Sequence, residues 1–225
     1  MRRSGMASNH DLRPVVAFTK ALKRNNNREW FQSHRDDYEL AKLRFEEFVA
    51  DVIKGLARTE PLEDLSPRDC VFRIFRDVRF SKNKSPYKPN MGAYVAPGGR
   101  KSRGMGLYVH IESGASMLAG GMYMPEPAQL AAWREAIARD SRPFRTIIRR
   151  RAFRELFGDV DGERLKTAPR GYAKDHPDID LLRLKSVTAA RYVSDREVVA
   201  PDFLREALRS WKVMKPFAAY LDSFR

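Results

Sequence analysis

The sequence predicts an α+β fold: a mainly antiparallel sheet of about four to six strands, packed by N-terminal and C-terminal helices. Two observations carry this. Apolar residues recur three and four apart up to Leu56 and again after Pro125. Between them the chain either alternates with a period of two or is rich in β-branched and aromatic residues.

Taken in order, Leu12, Val15, Val16, Phe18 and Leu22 fall at helical spacing and predict a first helix. Asn25-Asn26-Asn27 interrupts it, and Asn27 is placed to cap the next one. Trp30, His34, Tyr38, Ala41, Phe45, Phe48, Val49, Val52 and Leu56 then predict one long amphipathic helix of about seven turns. Val71 to Val78 reads as a strand, with Cys70 beside it as a buried strand thiol. Met91 to Ala96 is a short strand ended by Pro97-Gly98-Gly99. From Met105 to Glu112, Leu107, Val109 and Ile111 alternate with Tyr108, His110 and Glu112, the pattern of a half-buried strand. Ser113-Gly114 turns it into Ala115 to Met122, giving an antiparallel hairpin. Gly120-Gly121 marks a bulge or a close backbone approach.

Pro125-Glu126-Pro127 starts a helix with Leu130, Trp133, Ile137 and Ala138 on one face. Another begins at Ser141, buries Phe144, Ile147, Ile148 and Leu156, and stops at Gly158. Leu165 to Pro177 is turn-rich, and Lys185 to Val193 reads as a strand. Pro201 opens a last helix with Phe203, Leu204, Leu208 and Trp211 on one side, and Pro216 is expected to break or kink it. We expect a flexible tail over residues 1–10 and a single α+β domain over 11–225.

A hydrophobic content of 43% argues for a folded globule rather than disorder. No apolar run is long enough to span a membrane, and the N-terminal residues lack the apolar stretch of a signal peptide. With one cysteine there is no internal disulfide, so a cytoplasmic location is expected. The net charge of +14 favours anionic partners. The excess is uneven: Arg68 to Arg103 holds ten Lys and Arg against two Asp, and Arg142 to Arg154 holds six Arg and no acid.

The densest cationic stretch is Arg76 to Tyr94, RDVRFSKNKSPYKPNMGAY. Arg76, Arg79, Lys82, Lys84 and Lys88 surround two turn prolines, Pro86 and Pro89, with Tyr87 between them. Lysines supply point charge, and the neighbouring hydroxyls and backbone N–H groups supply geometry for phosphate or carboxylate oxygens. The competing reading is an exposed loop decorated by Lys and Ser and anchored to the core by Pro86-Tyr87. For Arg73, a structural salt bridge is the expected role. His110, between Tyr108 and Glu112, could do acid–base work, but a satisfied structural histidine is the expected role. His110 and Tyr87 are therefore the weak catalytic candidates.

The four histidines show no metal-ligand spacing, so no metal site or cofactor is expected. There is no Walker loop, no G-x-S-x-G and no G-x-G-x-x-G. The arginines of Arg142 to Arg154 fit an exposed helix face that tracks a phosphate backbone, with little aromatic interleaving for base stacking.

NNNREWFQSHRDDYE, FRIFRDVRFSKNKSPYKPNMGAY, LYVHIESGASMLAGGMYMPEP followed by AWREAI, and LKTAPRGYAKDHPDIDLLRLKS together resemble the Domain of Unknown Function 2461 family of uncharacterised bacterial and fungal proteins. The resemblance runs from about Asp11 to Phe224. It implies one α+β domain and carries over no catalytic residues.

The leading expectation is an anionic small molecule or phosphorylated ligand bound by Arg76, Arg79, Lys82, Lys84, Tyr87 and Lys88. Arg170 and Tyr172 would join if the PRGY turn folds over the loop. The alternatives are a nucleic-acid-binding protein using the loop and the Arg-rich helix, and an enzyme with His110 and Tyr87 beside the cations. No membrane partner is expected.

Overall fold

The computed structural model describes residues 11–225; the expected tail over residues 1–10 lies outside them. Helix α1 (Arg13–Arg24) has a proline in its first turn and buries Val15, Phe18, Thr19 and Leu22. Helix α2 (Arg28–Ser33) starts at Asn27, whose side-chain oxygen accepts the Trp30 N–H at 2.9 Å, the expected cap. The expected single long helix is broken at His34, where φ is −116° and ψ is 31°. The cause is local. Ser33 Oγ and His34 Nδ1 each lie 2.9 Å from the Trp30 carbonyl, and the imidazole stacks on Trp30 at 4.1 Å. These side chains crowd an acceptor the helix also uses, and the axis restarts as α3 (Arg35–Leu56).

Helix α4 (Pro67–Cys70) opens with a Ser66–Asp69 capping box. Cys70 therefore ends a helical turn rather than lying beside a strand, although it is buried as expected. Burial foremost, with Asp69 adding to it, pushes its thiol up to about 12.

Strands β1 (Met91–Val95), β2 (Leu107–Ile111), β3 (Ser116–Met122) and β4 (Val187–Val193) form one antiparallel sheet in the order β1-β2-β3-β4. The β2–β3 hairpin is the expected one. The Ala115 N–H donates to the Glu112 carbonyl at 2.9 Å, and Gly114 adopts φ 77° in the turn. In β2, Leu107, Val109 and Ile111 are buried while Tyr108 and His110 stay partly exposed, as the alternation requires. A 3₁₀ turn at Gly99–Lys101 follows β1. Gly99 has φ 64°, and any Cβ there would overlap the Asp69 carbonyl, so glycine is required.

The expected strand from Val71 to Val78 does not form. Only two isolated antiparallel bridges appear, Val71 with Ala93 and Phe75 with Tyr87. The bridges are three intervening residues apart on one side and five on the other, so the pairing is bulged, and Pro86 and Pro89 offer no N–H to a ladder.

Helix α5 (Pro127–Arg139) begins just after Glu126, as expected. The expected helix from Ser141 to Gly158 is two short ones, α6 (Arg142–Ile148) and α7 (Arg151–Phe157). The Arg150 backbone, at φ −55° and ψ 135°, is extended between them. Helices α8 (Ile179–Leu182), α9 (Asp195–Val198) and α10 (Phe203–Asp222) complete the chain. Pro216 does not end α10. Met214, Phe217, Ala218 and Leu221 are all buried, and that packing outweighs the missing backbone bond. None of the described helices is long and apolar enough to cross a membrane.

The chain forms two compact units. One takes residues up to Ser102, Tyr108–Leu118 and Tyr192–Arg209; the other takes Arg103–Leu107, Ala119–Arg191 and Ser210–Arg225. The first unit's core joins Leu12, Phe18 and Leu22 to Phe31, Phe45, Phe48 and Val109, with Phe48 stacked on Phe203 at 5.3 Å. The second unit's core sets Trp133 edge-on to Phe144 at 5.8 Å and Phe153 against Phe217 at 5.4 Å.

A thiol raised this far by burial is not a nucleophile at neutral pH. A thiol reagent at pH 8 should leave Cys70 unmodified in the native protein and label it fully in denaturant, as read by mass spectrometry. Rapid native labelling would contradict the buried thiol.

Candidate functional site

The cationic segment is an arm of two irregular strands. Phe72 N–H donates to the Gly92 carbonyl at 2.9 Å, Lys88 N–H to Ile74 at 2.8 Å, and Arg76 N–H to Pro86 at 2.9 Å. Asn26 fixes the arm from outside. Its amide donates to the Tyr87 carbonyl at 3.0 Å and its oxygen accepts the Tyr87 N–H at 3.1 Å. The Tyr87 ring is buried and stacks on Phe31 at 4.0 Å, with 14° between the planes. Tyr87 is thus the anchor of the arm. Nothing local signals this role for Asn26, whose place in the Asn run points only to a helix boundary.

At the tip, most of the polar groups bond within the arm. Arg79 pairs with Asp77 at 2.7 Å, and Lys84 Nζ donates to the Val78 carbonyl at 3.0 Å. Arg76 reaches Ser81 Oγ at 3.4 Å. Lys82 is exposed, and Phe80 projects almost wholly into solvent with the Arg79 guanidinium 5.8 Å from its ring. Arg79, rather than Arg73, makes the salt bridge; among the described residues Arg73 has no ion pair with a carboxylate.

The bulge between the two bridges redirects Lys88. Its ammonium lies over the Phe72 ring at 5.4 Å and is half-buried. Burial first, and then the nearby Arg73 charge, lowers its pKa. Phe72 meets the Tyr108 ring edge-on at 6.2 Å. Gly92 lies at the same place: a Cβ built there would meet Tyr108 Oη at 3.1 Å and Asn90 Nδ2 at 3.4 Å. The missing side chain therefore lets a phenol and an amide come close to the backbone, leaving only a narrow space between them, next to Phe72 and Lys88.

Behind that space runs a chain of polar contacts. Tyr108 Oη is 3.1 Å from His110 Nδ1, His110 Nε2 is 3.3 Å from Glu112 Oε2, and Glu112 Oε1 is 2.7 Å from Lys23 Nζ. Burial lowers the His110 pKa, opposed by the hydrogen bond and charge of Glu112. The neutral ring donates Nε2–H to Glu112, which leaves Nδ1 to accept from Tyr108. The phenol beside His110 is thus Tyr108, while Tyr87 lies in the aromatic core with Phe31. Alternation along β2 had already put Tyr108, His110 and Glu112 on one side. The ion pair to Lys23, 89 residues away, had no sequence signal.

Arg170 and Tyr172 belong to the second compact unit, in a turn where Tyr172 N–H donates to the Pro169 carbonyl at 3.2 Å. The chain matches a family described as conserved hypothetical protein (DUF2461) over residues 14–220. It belongs to the DUF2461 family. Neither a curated protein nor a solved structure matched it. In this DUF2461 chain the described residues contain no group of three or more His, Cys, Asp or Glu able to hold a metal ion.

Two outcomes follow for this DUF2461 chain. Asn26→Ala leaves both backbone groups of a buried residue without their partner, and should destabilise by about 1–3 kcal/mol in urea unfolding with an unchanged m-value. An effect below about 0.5 kcal/mol would show that the arm does not depend on Asn26. His110 titrates lower when folded than when unfolded, so its contribution is present above pH ~6.5 and is lost as pH falls toward the folded value. The melting temperature should therefore drop between pH 7 and 5. His110→Gln, which leaves Tyr108, Glu112 and Lys23 in place, should flatten that drop.

Proposed function

We propose that this chain binds an anionic small molecule, bearing phosphate or carboxylate, at the base of the cationic arm. Lys88 and Arg73 supply charge, Asn90 and Tyr108 supply directed hydrogen bonds, and Gly92 lets those two groups draw together. Arg76, Arg79, Lys82 and Lys84 raise the potential that draws the ligand in. The observation that carries this reading is Lys88. It is half-buried, its charged neighbour is another cation, and among the described residues it has no carboxylate partner. A half-buried ammonium beside a second, exposed cation is costly until an anion offsets them. Family membership supports the α+β fold and leaves the activity open.

A second reading, proton transfer at Tyr108, is favoured by the hydrogen-bond chain through His110 and Glu112 to Lys23. It uses the same space: a ligand held by Lys88 would meet a phenol whose proton can pass to a neutral imidazole.

Amide NMR and calorimetry with inorganic phosphate and citrate as probes test the binding. The Asn90 and Gly92 amides should shift on titration. Lys88→Ala should weaken binding roughly 10- to 100-fold, the worth of a hydrogen bond to a charged group, with the melting temperature unchanged. Unmoved Asn90 and Gly92 amides would overturn the reading. Tight oligonucleotide binding with a steep salt dependence, about −0.9 in log–log slope per phosphate contacted, would favour nucleic acid instead.

A further inference from the structure

The Arg-rich segment makes a second candidate site, wholly within the second compact unit. Between α6, α7 and α8 lies a cavity of about 140 Å³ lined by Arg145, Arg149, Arg154 and Arg164. Ile148, Val160 and Leu181 form its apolar wall. The break at Arg150 creates the arrangement. In one continuous helix Arg149 and Arg154 would sit about 140° apart around the axis. With the helix restarting at Arg151, both line the same cavity.

The charge balance separates cavity arginines from the others. Outside the cavity, Arg142 is held by Asp140 at 2.8 Å and Arg151 by Glu155 at 2.6 Å; Arg150 lies at the helix junction, also outside. At the cavity, Arg145 is fixed by Asp178 at 2.7 Å and Asp180 at 2.8 Å, and Asp178 is held in turn by Ser141. Arg149, Arg154 and Arg164 have no carboxylate partner among the described residues; Arg164 only approaches the Val160 carbonyl at 3.5 Å. The carboxylates on the lining are Asp180, which Arg145 occupies, and Asp159, which accepts the Val160 N–H at 2.8 Å. Counting Asp178 with Asp159 and Asp180, four guanidiniums meet three carboxylates, so the net excess is one positive charge, with Arg149, Arg154 and Arg164 themselves unpaired around one small space.

We propose that this cavity binds the dianionic phosphate group of a small phosphorylated molecule. Charge, shape and size agree. A phosphate monoester carries about −1.5 to −2 at neutral pH, a charge that the three guanidiniums without a carboxylate partner can meet. Planar guanidinium forks match its oxygens bidentately, and a lysine cluster would not. The volume admits one phosphoryl group and little more, so the rest of the molecule extends outward. A nucleic-acid strand needs an extended track of cations, whereas these arginines converge on one point. This site is independent of the one at the arm: it shares no residue with it.

Inorganic phosphate and pyrophosphate are the probes, followed by calorimetry and amide NMR on the full chain. Phosphate should shift the Val160 and Leu181 amides in a saturable way. With a phosphate monoester as a further probe, affinity should rise as pH passes ~6, where its dianion forms. Arg149→Ala with Arg154→Ala, both on exposed side chains, should weaken that response at least tenfold without changing the melting temperature. Arg164→Gln should weaken it on its own. Lys88→Ala should leave it unchanged, which keeps this site distinct from the arm. Unmoved Val160 and Leu181 amides, or a double variant that binds phosphate like wild type, would overturn the proposal. So would an oligonucleotide that binds through the same arginines more tightly than pyrophosphate.

Discussion

The first unit depends on how one peptide of the arm is held. Asn26 offers its amide to both the N–H and the carbonyl of Tyr87, as a neighbouring strand would, and Phe31 covers the ring. Backbone groups bonded by an amide side chain lose nothing on leaving water. The aromatic stack then holds the arm at a depth where only one registration is available. Given that fixed peptide, the next residue out, Lys88, comes to rest on Phe72, and Asn90 and Gly92 meet Tyr108. The space at the base of the arm follows from the anchor below it.

Both candidate sites obey one electrostatic rule. Several cations on free surface are neutralised within a few residues: Arg79 by Asp77, Arg142 by Asp140, Arg151 by Glu155. Such exposed pairs add little to stability, but they quiet the local field. Lys88 at the base of the arm, and Arg149, Arg154 and Arg164 around their cavity, have no carboxylate partner among the described residues.

How far the sequence revealed this depended on the range of the interaction. The β2–β3 hairpin and the Asn27 cap are set by neighbours within a few residues, and they were legible. The breaks at His34 and Arg150 were missed, because apolar spacing continues through both while the backbone departs from it. The strand expected at Val71 to Val78 failed for a related reason: its residues suit a strand, but the partner carries Pro86 and Pro89. Tyr108 and His110 shared a side of β2 by simple alternation. The pairing of Glu112 with Lys23, and the meeting of Arg154 with Arg164 and Asp180, join distant parts of the chain that no local pattern connects.

The division into two units bears on how the protein is made. The chain passes between them five times, so neither is a contiguous stretch. A ribosome releasing residues in order completes α3 long before Phe203 exists, and until then Phe48 lacks the ring it stacks on. The first unit cannot close its core before Arg209 has emerged, and the second must wait for Ser210–Arg225. Loop-closure entropy is therefore met late, with apolar surface bare in the meantime. A fragment ending before α10 has no complete native unit to fold into.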